Sequence, residues 1–294
     1  MGSAMVRTNE TKRLTWVLVI TAIYFFAELL GGILTNSLAL LSDAGHMFSD
    51  IAALGLSLFA FQMARRPATA KRTYGYHRME ILAALINGLT LWLVVGIIFN
   101  EAYRRFLDPP EVHSLGMLFI ASIGLMVNVV AGTILYGSDH RSLNMHGAFL
   151  HVLGDTIGSV GAVAAGLVML ATGWYLADPL ISVLIGLLIL YTSWDLVKES
   201  IDILMQSVPK GIDVEEVQRA LEQIHGVIKV HDLHVWAVTS GVFTLSAHAV
   251  IAPDGNPHTI LDRIEDKLKS RFSIEHTTIQ LEIEDREGKE FQAF

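Results

Sequence analysis

Cysteine is absent from this 294-residue chain. Disulfides and thiolate metal sites are thereby excluded, and any bound metal must be held by nitrogen and oxygen ligands. Positive charge is also in short supply. The formal net charge is −8, which argues against nucleic acid as a partner. No cleavable signal peptide is evident: Met1–Thr11 is short and polar, and the first apolar run, Leu14–Thr35, is long enough to span a bilayer. Internal repeats and low-complexity segments are missing too.

What is present is mostly apolar. Hydrophobic residues make up 52% of the chain, and the mean hydropathy is +0.48, too high for an ordinary soluble protein of this length. Six stretches can each supply the roughly 20 apolar residues that a spanning helix needs. They are Leu14–Leu34, Leu38–Met63, Glu80–Arg104, Ser114–Tyr136, Met145–Thr172 and Ala177–Val197. Basic residues cluster before the first span (Arg7, Lys12, Arg13), between the second and third (Arg65, Arg66, Lys71, Arg72, Arg78), between the fourth and fifth (Arg141) and after the sixth (Lys198). The opposite side has only Arg104 and Arg105. The basic side marks the cytoplasm, so both termini are expected there. A membrane domain over 1–208 and a soluble domain over 209–294 follow.

In the soluble part, Ile212–His225 and Pro257–Phe272 have helical patterning, while Ile228–Val238, Val242–Ile251 and Thr277–Ile283 alternate as strands. The order αββαβ predicts a small open-faced α+β domain with two helices on one side of the sheet.

Charged side chains inside a bilayer are costly, about +2.5–3.5 kcal/mol for Asp at a helix centre. Yet the second span carries Asp43, His46 and Asp50, and the fifth carries His151 and Asp155. The same His-x-x-x-Asp spacing occurs twice, as His46/Asp50 and His151/Asp155, and residues at i and i+4 share one helix face. The two spans run in opposite directions. At 1.5 Å per residue, Asp50 lies roughly 20 Å from the start of one and Asp155 roughly 18 Å from the start of the other. Two nitrogens and two oxygens at matched depth suit tetrahedral Zn2+. Glu28 and Asp43 are polar groups of structural or pathway character.

Several segments carry a resemblance. Ser42-Asp43-Ala44-Gly45-His46-Met47-Phe48-Ser49-Asp50 resembles the second-helix signature of the cation diffusion facilitators, in their zinc-transporter branch. Tyr74–Glu80, Ser142–Asn144 with His151–Asp155, and His231-Asp232-Leu233-His234-Val235-Trp236 are similar to further motifs of that family. The resemblance implies a homodimer of six-helix protomers, a metallochaperone-like cytoplasmic domain, and metal export in exchange for protons. It also implies that a His/Asp/His/Asp site favours zinc, with Cd2+ and Co2+ as further cargo. Arg72 and Tyr76 stand where some relatives place histidines of an additional site, leaving only His77 nearby. The short link over 137–144 suggests a bacterial plasma-membrane protein.

In the soluble domain His231, His234, His248, His258, His276 and Glu282 are candidate ligands. Strand alternation lets at most one of His231 and His234 reach the face of His248. The resemblance favours His231, His248 and Glu282, with His276, His258 and His234 as further candidates for zinc. An intramembrane zinc hydrolase is disfavoured, because four protein ligands leave no open position for a catalytic water. A metal-gated sensor is the remaining rival, and polar residues deep in two spans favour transport over it.

Overall fold

The computed structural model describes residues 2–64, 66–136 and 143–284; for 2–15, 18, 54, 57, 58, 61 and 143–151 it covers the backbone alone. The link over 137–142, including Arg141, lies outside the described residues.

Six long helices form where the apolar runs predict them: α1 Gly2–Thr35, α2 Leu38–Ala64, α3 Met79–Leu107, α4 Ser114–Tyr136, α5 Leu143–Thr172 and α6 Ala177–Leu204. Among the described residues, α3 to α6 are long and apolar enough to cross a membrane, and α1 adds the apolar run Val19–Thr35. Large apolar side chains such as Phe26, Leu93, Ile97, Phe119 and Leu184 are exposed along these helices. A water-soluble protein rarely shows so broad an apolar face, whereas lipid covers it.

α6 runs past the predicted end near Val197. Its tail (Lys198, Glu199, Ser200, Asp202) is polar but helix-compatible. The helix stops only where Gln206 turns left-handed, with Ser207 N–H bonded to Asp202 O and Gln206 N–H to Ile203 O. That pair of bonds closes the helix end with its last carbonyls satisfied.

The chain divides into two compact units. The first comprises Met1–Gly55 and Ile86–Asp195. Its core gathers Leu40, Leu91, Val95, Met117, Ala165, Met169 and Ile185 from α2 to α6. Small residues set the spacing here. A Cβ on Gly166 of α5 would sit 3.3 Å from Leu118 of α4, the close backbone approach on which helix packing in lipid depends. Polar pairs bridge the helices as well: Ser49 Oγ donates to Asn87 Oδ1 at 3.0 Å, and Asn128 Nδ2 to Ser159 Oγ at 3.0 Å.

The second unit comprises Leu56–Leu85 and Leu196–Phe294. It holds α7 Val214–Glu222, β1 Val227–Thr239, β2 Val242–Ile251, α8 Pro257–Phe272 and β3 Ile274–Glu282, the predicted αββαβ order. The sheet order is β1-β2-β3. β1 and β2 are antiparallel; β2 and β3 are parallel, and α8 supplies the crossover a parallel pair requires. α7 is shorter than its predicted span. Asp213 caps it by accepting from Glu215 N–H at 2.9 Å, so Ile212 stays outside, and Gly226 at φ +98° turns the chain into β1. Asn256 caps α8 in the same way.

Val217, Leu221, Ile260, Ile264 and Leu268 of the two helices pack on Val230, Val235, Leu245, Ala247 and Ala249 of the sheet. Thr244, Ser246 and His248 alternate onto the other face of β2. Leu268 has no solvent exposure, so Leu268→Ala should lower stability by about 2–5 kcal/mol, read by denaturant unfolding of the purified chain.

Candidate metal centre

α2 and α5 bring the intramembrane residues together. His46 Nε2 lies 3.7 Å from Asp50 Oδ2, one turn along α2, and 3.7 Å from Asp155 Oδ1 of α5. These side chains line, or lie beside, a cavity of about 250 Å³ whose walls include Asp43, His46, Gly154, Asp155, Gly158, Ile185 and Ile189. Gly154 and Gly158 have nothing within 4 Å of where a Cβ would stand. They leave α5 bare beside Asp155 and so make room for an ion. His151 falls within α5, four residues before Asp155, and its side chain lies outside the described residues.

Beside the cavity is a second polar layer. Tyr24 Oη donates to Glu28 Oε1 at 3.0 Å and lies 3.2 Å from the carbonyl oxygen of Ile120. Glu28 and Asp43 are both buried, and their carboxyl groups neighbour each other. Gly124 admits the Tyr24 ring, since a Cβ there would overlap it.

The small domain builds its own cluster. His231 and His248 are register partners across β1 and β2, with ring centroids 5.3 Å apart. Glu282, from β3, bridges them: Oε2 is 3.3 Å from His231 Nε2 and Oε1 is 3.4 Å from His248 Nδ1. One ligand atom from each of the three lies within 4.8 Å of the others. Gln280 Nε2 donates to Glu282 Oε1 at 2.6 Å and orients the carboxylate. The donor set of two imidazoles and a carboxylate fits Zn2+.

β1 is not a regular strand. Asp232 adopts φ +49° and the register with β2 shifts between His231 and His234. This bulge points Asp232 back at the cluster, with Oδ2 3.9 Å from His248 Nε2. Its Oδ1 meets His234 Nε2 at 2.9 Å. Sequence reasoning did not single out Asp232; a short acidic residue between two histidines is the signal that could have found it, because Asp tolerates the left-handed conformation.

Two further candidate histidines of the small domain stand elsewhere. His276 pairs with Thr244 in the sheet register, and its ring meets Tyr74 edge-on at 5.8 Å. His258 lies in the first turn of α8, exposed, with its backbone N–H donating to the Asn256 cap. Neither belongs to the three-residue cluster found among the described residues. In the 66–78 segment the Arg72 guanidinium lies 4.5 Å over the Tyr76 ring.

Comparison with known proteins follows this layout. The sequence profile of the "Cation efflux transmembrane domain" matches residues 14–205, and that of the "Cation efflux protein, cytoplasmic domain" matches 209–284. A "Cadmium, cobalt and zinc/H(+)-K(+) antiporter" of Bacillus subtilis (strain 168) is 44% identical over 266 residues, covering 89% of this chain and 85% of its own. "Zinc transporter ZitB" of Escherichia coli (strain K12) is 40% identical over 290 residues, covering 98% and 92%. The solved metal-bound C-terminal domain of the CzcD transporter from Cupriavidus metallidurans is 38% identical, covers 24% of this chain and all of its own, and has a TM-score of 0.24.

Proposed function

The chain belongs to the cation efflux family, the cation diffusion facilitators, and from that premise we propose that it exports Zn2+ from the cytoplasm in exchange for protons. Relatives bear names that include zinc, cadmium and cobalt, so Cd2+ and Co2+ are further cargo. The observation that carries the reading is the approach of His46 Nε2 to 3.7 Å from carboxylate oxygens of both Asp50 and Asp155. His151, completing the second His-x-x-x-Asp motif, is the fourth ligand.

The ion binds when both imidazoles are neutral and the carboxylates ionised. A protonated imidazole cannot coordinate, so protons arriving at His46 or His151 compete with the metal and expel it. Four protein donors replace the hydration shell of Zn2+ while it sits among apolar helices. When the site opens to the other side, protonation releases the ion. The return carries protons inward, so the proton gradient drives export.

In this reading the membrane domain covers 1–208 and the cytoplasmic domain 209–294. The protein works as a homodimer in a bacterial plasma membrane with both termini inside. His231, His248 and Glu282 hold a resident Zn2+ that tightens the dimer and tunes activity.

Purified protein in lipid vesicles tests the proposal. Zn2+ uptake is expected to require an acid lumen and to collapse when a protonophore dissipates the gradient. Uptake indifferent to the gradient would remove proton exchange from the mechanism.

A further inference from the structure

The starts of α2 and α6 and the ends of α1 and α3 meet in a buried polar knot that the transport chemistry does not itself use. Asp178, in the first turn of α6, has no solvent exposure. Its carboxylate accepts from Ser37 Oγ at 2.6 Å, Leu38 N–H at 2.7 Å and Ala39 N–H at 3.2 Å. The latter two are opening N–H groups of α2, which have no partner within their own helix, and a carboxylate is favoured at that positive end. Arg105 of α3, also buried, supplies the countercharge: Nη1 lies 3.4 Å from Asp178 Oδ2. The same guanidinium donates to Asn36 O at 2.6 Å and to Asn36 Oδ1 at 3.0 Å. Asn36 is the left-handed residue (φ +56°) that ends α1. Sequence reasoning counted Arg105 only in the tally of basic residues that sets orientation. It is also part of this knot.

The knot joins two walls of the metal cavity. His46 is on α2, eight residues beyond Leu38, about 12 Å along a rigid helix. Ile185 and Ile189 line the cavity from α6, a few turns beyond Asp178. α5, which carries Asp155, supplies none of the hydrogen bonds named above. We propose that Asp178, held by Arg105, is a positioning residue: it fixes the depth and rotation of α2 relative to α6, and so sets how His46 and Asp50 are presented to Asp155. The inference rests on the transport site described above.

The test uses the full chain in vesicles and compares half-saturating Zn2+ with maximal flux. Asp178→Asn keeps the shape and removes the charge, leaving Glu101, whose Oε1 lies 3.1 Å from Arg105 Nε, as the remaining countercharge of Arg105. If the knot sets ligand registration, half-saturating Zn2+ rises at least 10-fold in protein that remains folded and monodisperse. Asp108→Asn, the same charge change at an exposed position just past α3, leaves it within 2-fold of the parent. A purely structural role would reduce the amount of active protein, and hence maximal flux, at unchanged half-saturation. That result overturns the proposal. Should Asp178→Asn not fold, Arg105→Met is read in the same way. If neither folds, the knot is structural and the proposal fails. His46→Ala serves as the separate check: wild-type flux in that variant would refute the site itself, whatever Asp178→Asn does.

Discussion

Asp155→Ala is expected to lower Zn2+ flux at least about 100-fold, and His46→Ala to do the same. Loss of a group that merely supports a ligand commonly costs 10–100-fold in metal affinity or activity, and these residues are the proposed ligands themselves. Because His46 Nε2 stands 3.7 Å from both Asp50 and Asp155, removing it takes away the donor that joins the two helices. Removing Asp155 takes away the anionic ligand of α5. Neither truncation should unfold the protein, since the side chains border a cavity rather than interlocked packing. His258→Ala is expected to leave flux unchanged, its residue being exposed at the start of α8. Vesicle uptake across the three variants checks this; wild-type flux in Asp155→Ala would refute the assignment.

The second large effect lies in the small domain. Zn2+ that binds the folded form alone should stabilise it by about 2.7 kcal/mol at 100 times its dissociation constant. Glu282→Gln should abolish that gain. The carboxylate reaches both imidazoles, at 3.3 and 3.4 Å, and the amide keeps its shape but not its charge. The measurement is a thermal midpoint with and without Zn2+, made in an Asp155→Ala background so that the membrane site does not contribute. The midpoint should rise with Zn2+ in that parent and stay fixed once Glu282→Gln is added. His276→Ala should retain the rise, because His276 packs on Tyr74. A rise that survives Glu282→Gln would place the resident ion elsewhere.

Much of this architecture was legible in the sequence because its signals are periodic and local. Long apolar runs mark helices whatever they pack against, and His46/Asp50 announces a shared face through helix geometry alone. His231, His248 and Glu282 emerged from strand alternation and family resemblance, and the sheet register puts them side by side. Other features depended on contacts distant in sequence. Asp178 carried no sequence signal that singled it out, and Arg105 counted only among the few basic residues on one side of the spans. Only folding brings the residues 73 positions apart, with Ser37 and Asn36 between them. Asp232 escaped notice because alternation assumes an unbroken strand, and one left-handed residue resets it. The polar tail of α6 was missed for a different reason: hydropathy reports where lipid-compatible residues end, whereas a helix ends where its carbonyls find other donors.

The kink at Asp232 also matters for how the sheet meets its surroundings. In the order β1-β2-β3 each outer strand has a strand neighbour on one side alone among the described residues, and such margins invite runaway strand addition between molecules. A bulge bends its strand and interrupts the regular spacing that an incoming strand would copy. The residue that turns a carboxylate toward His248 thereby also makes β1 a poor template, so the histidine–carboxylate cluster and a guarded sheet margin share one local distortion.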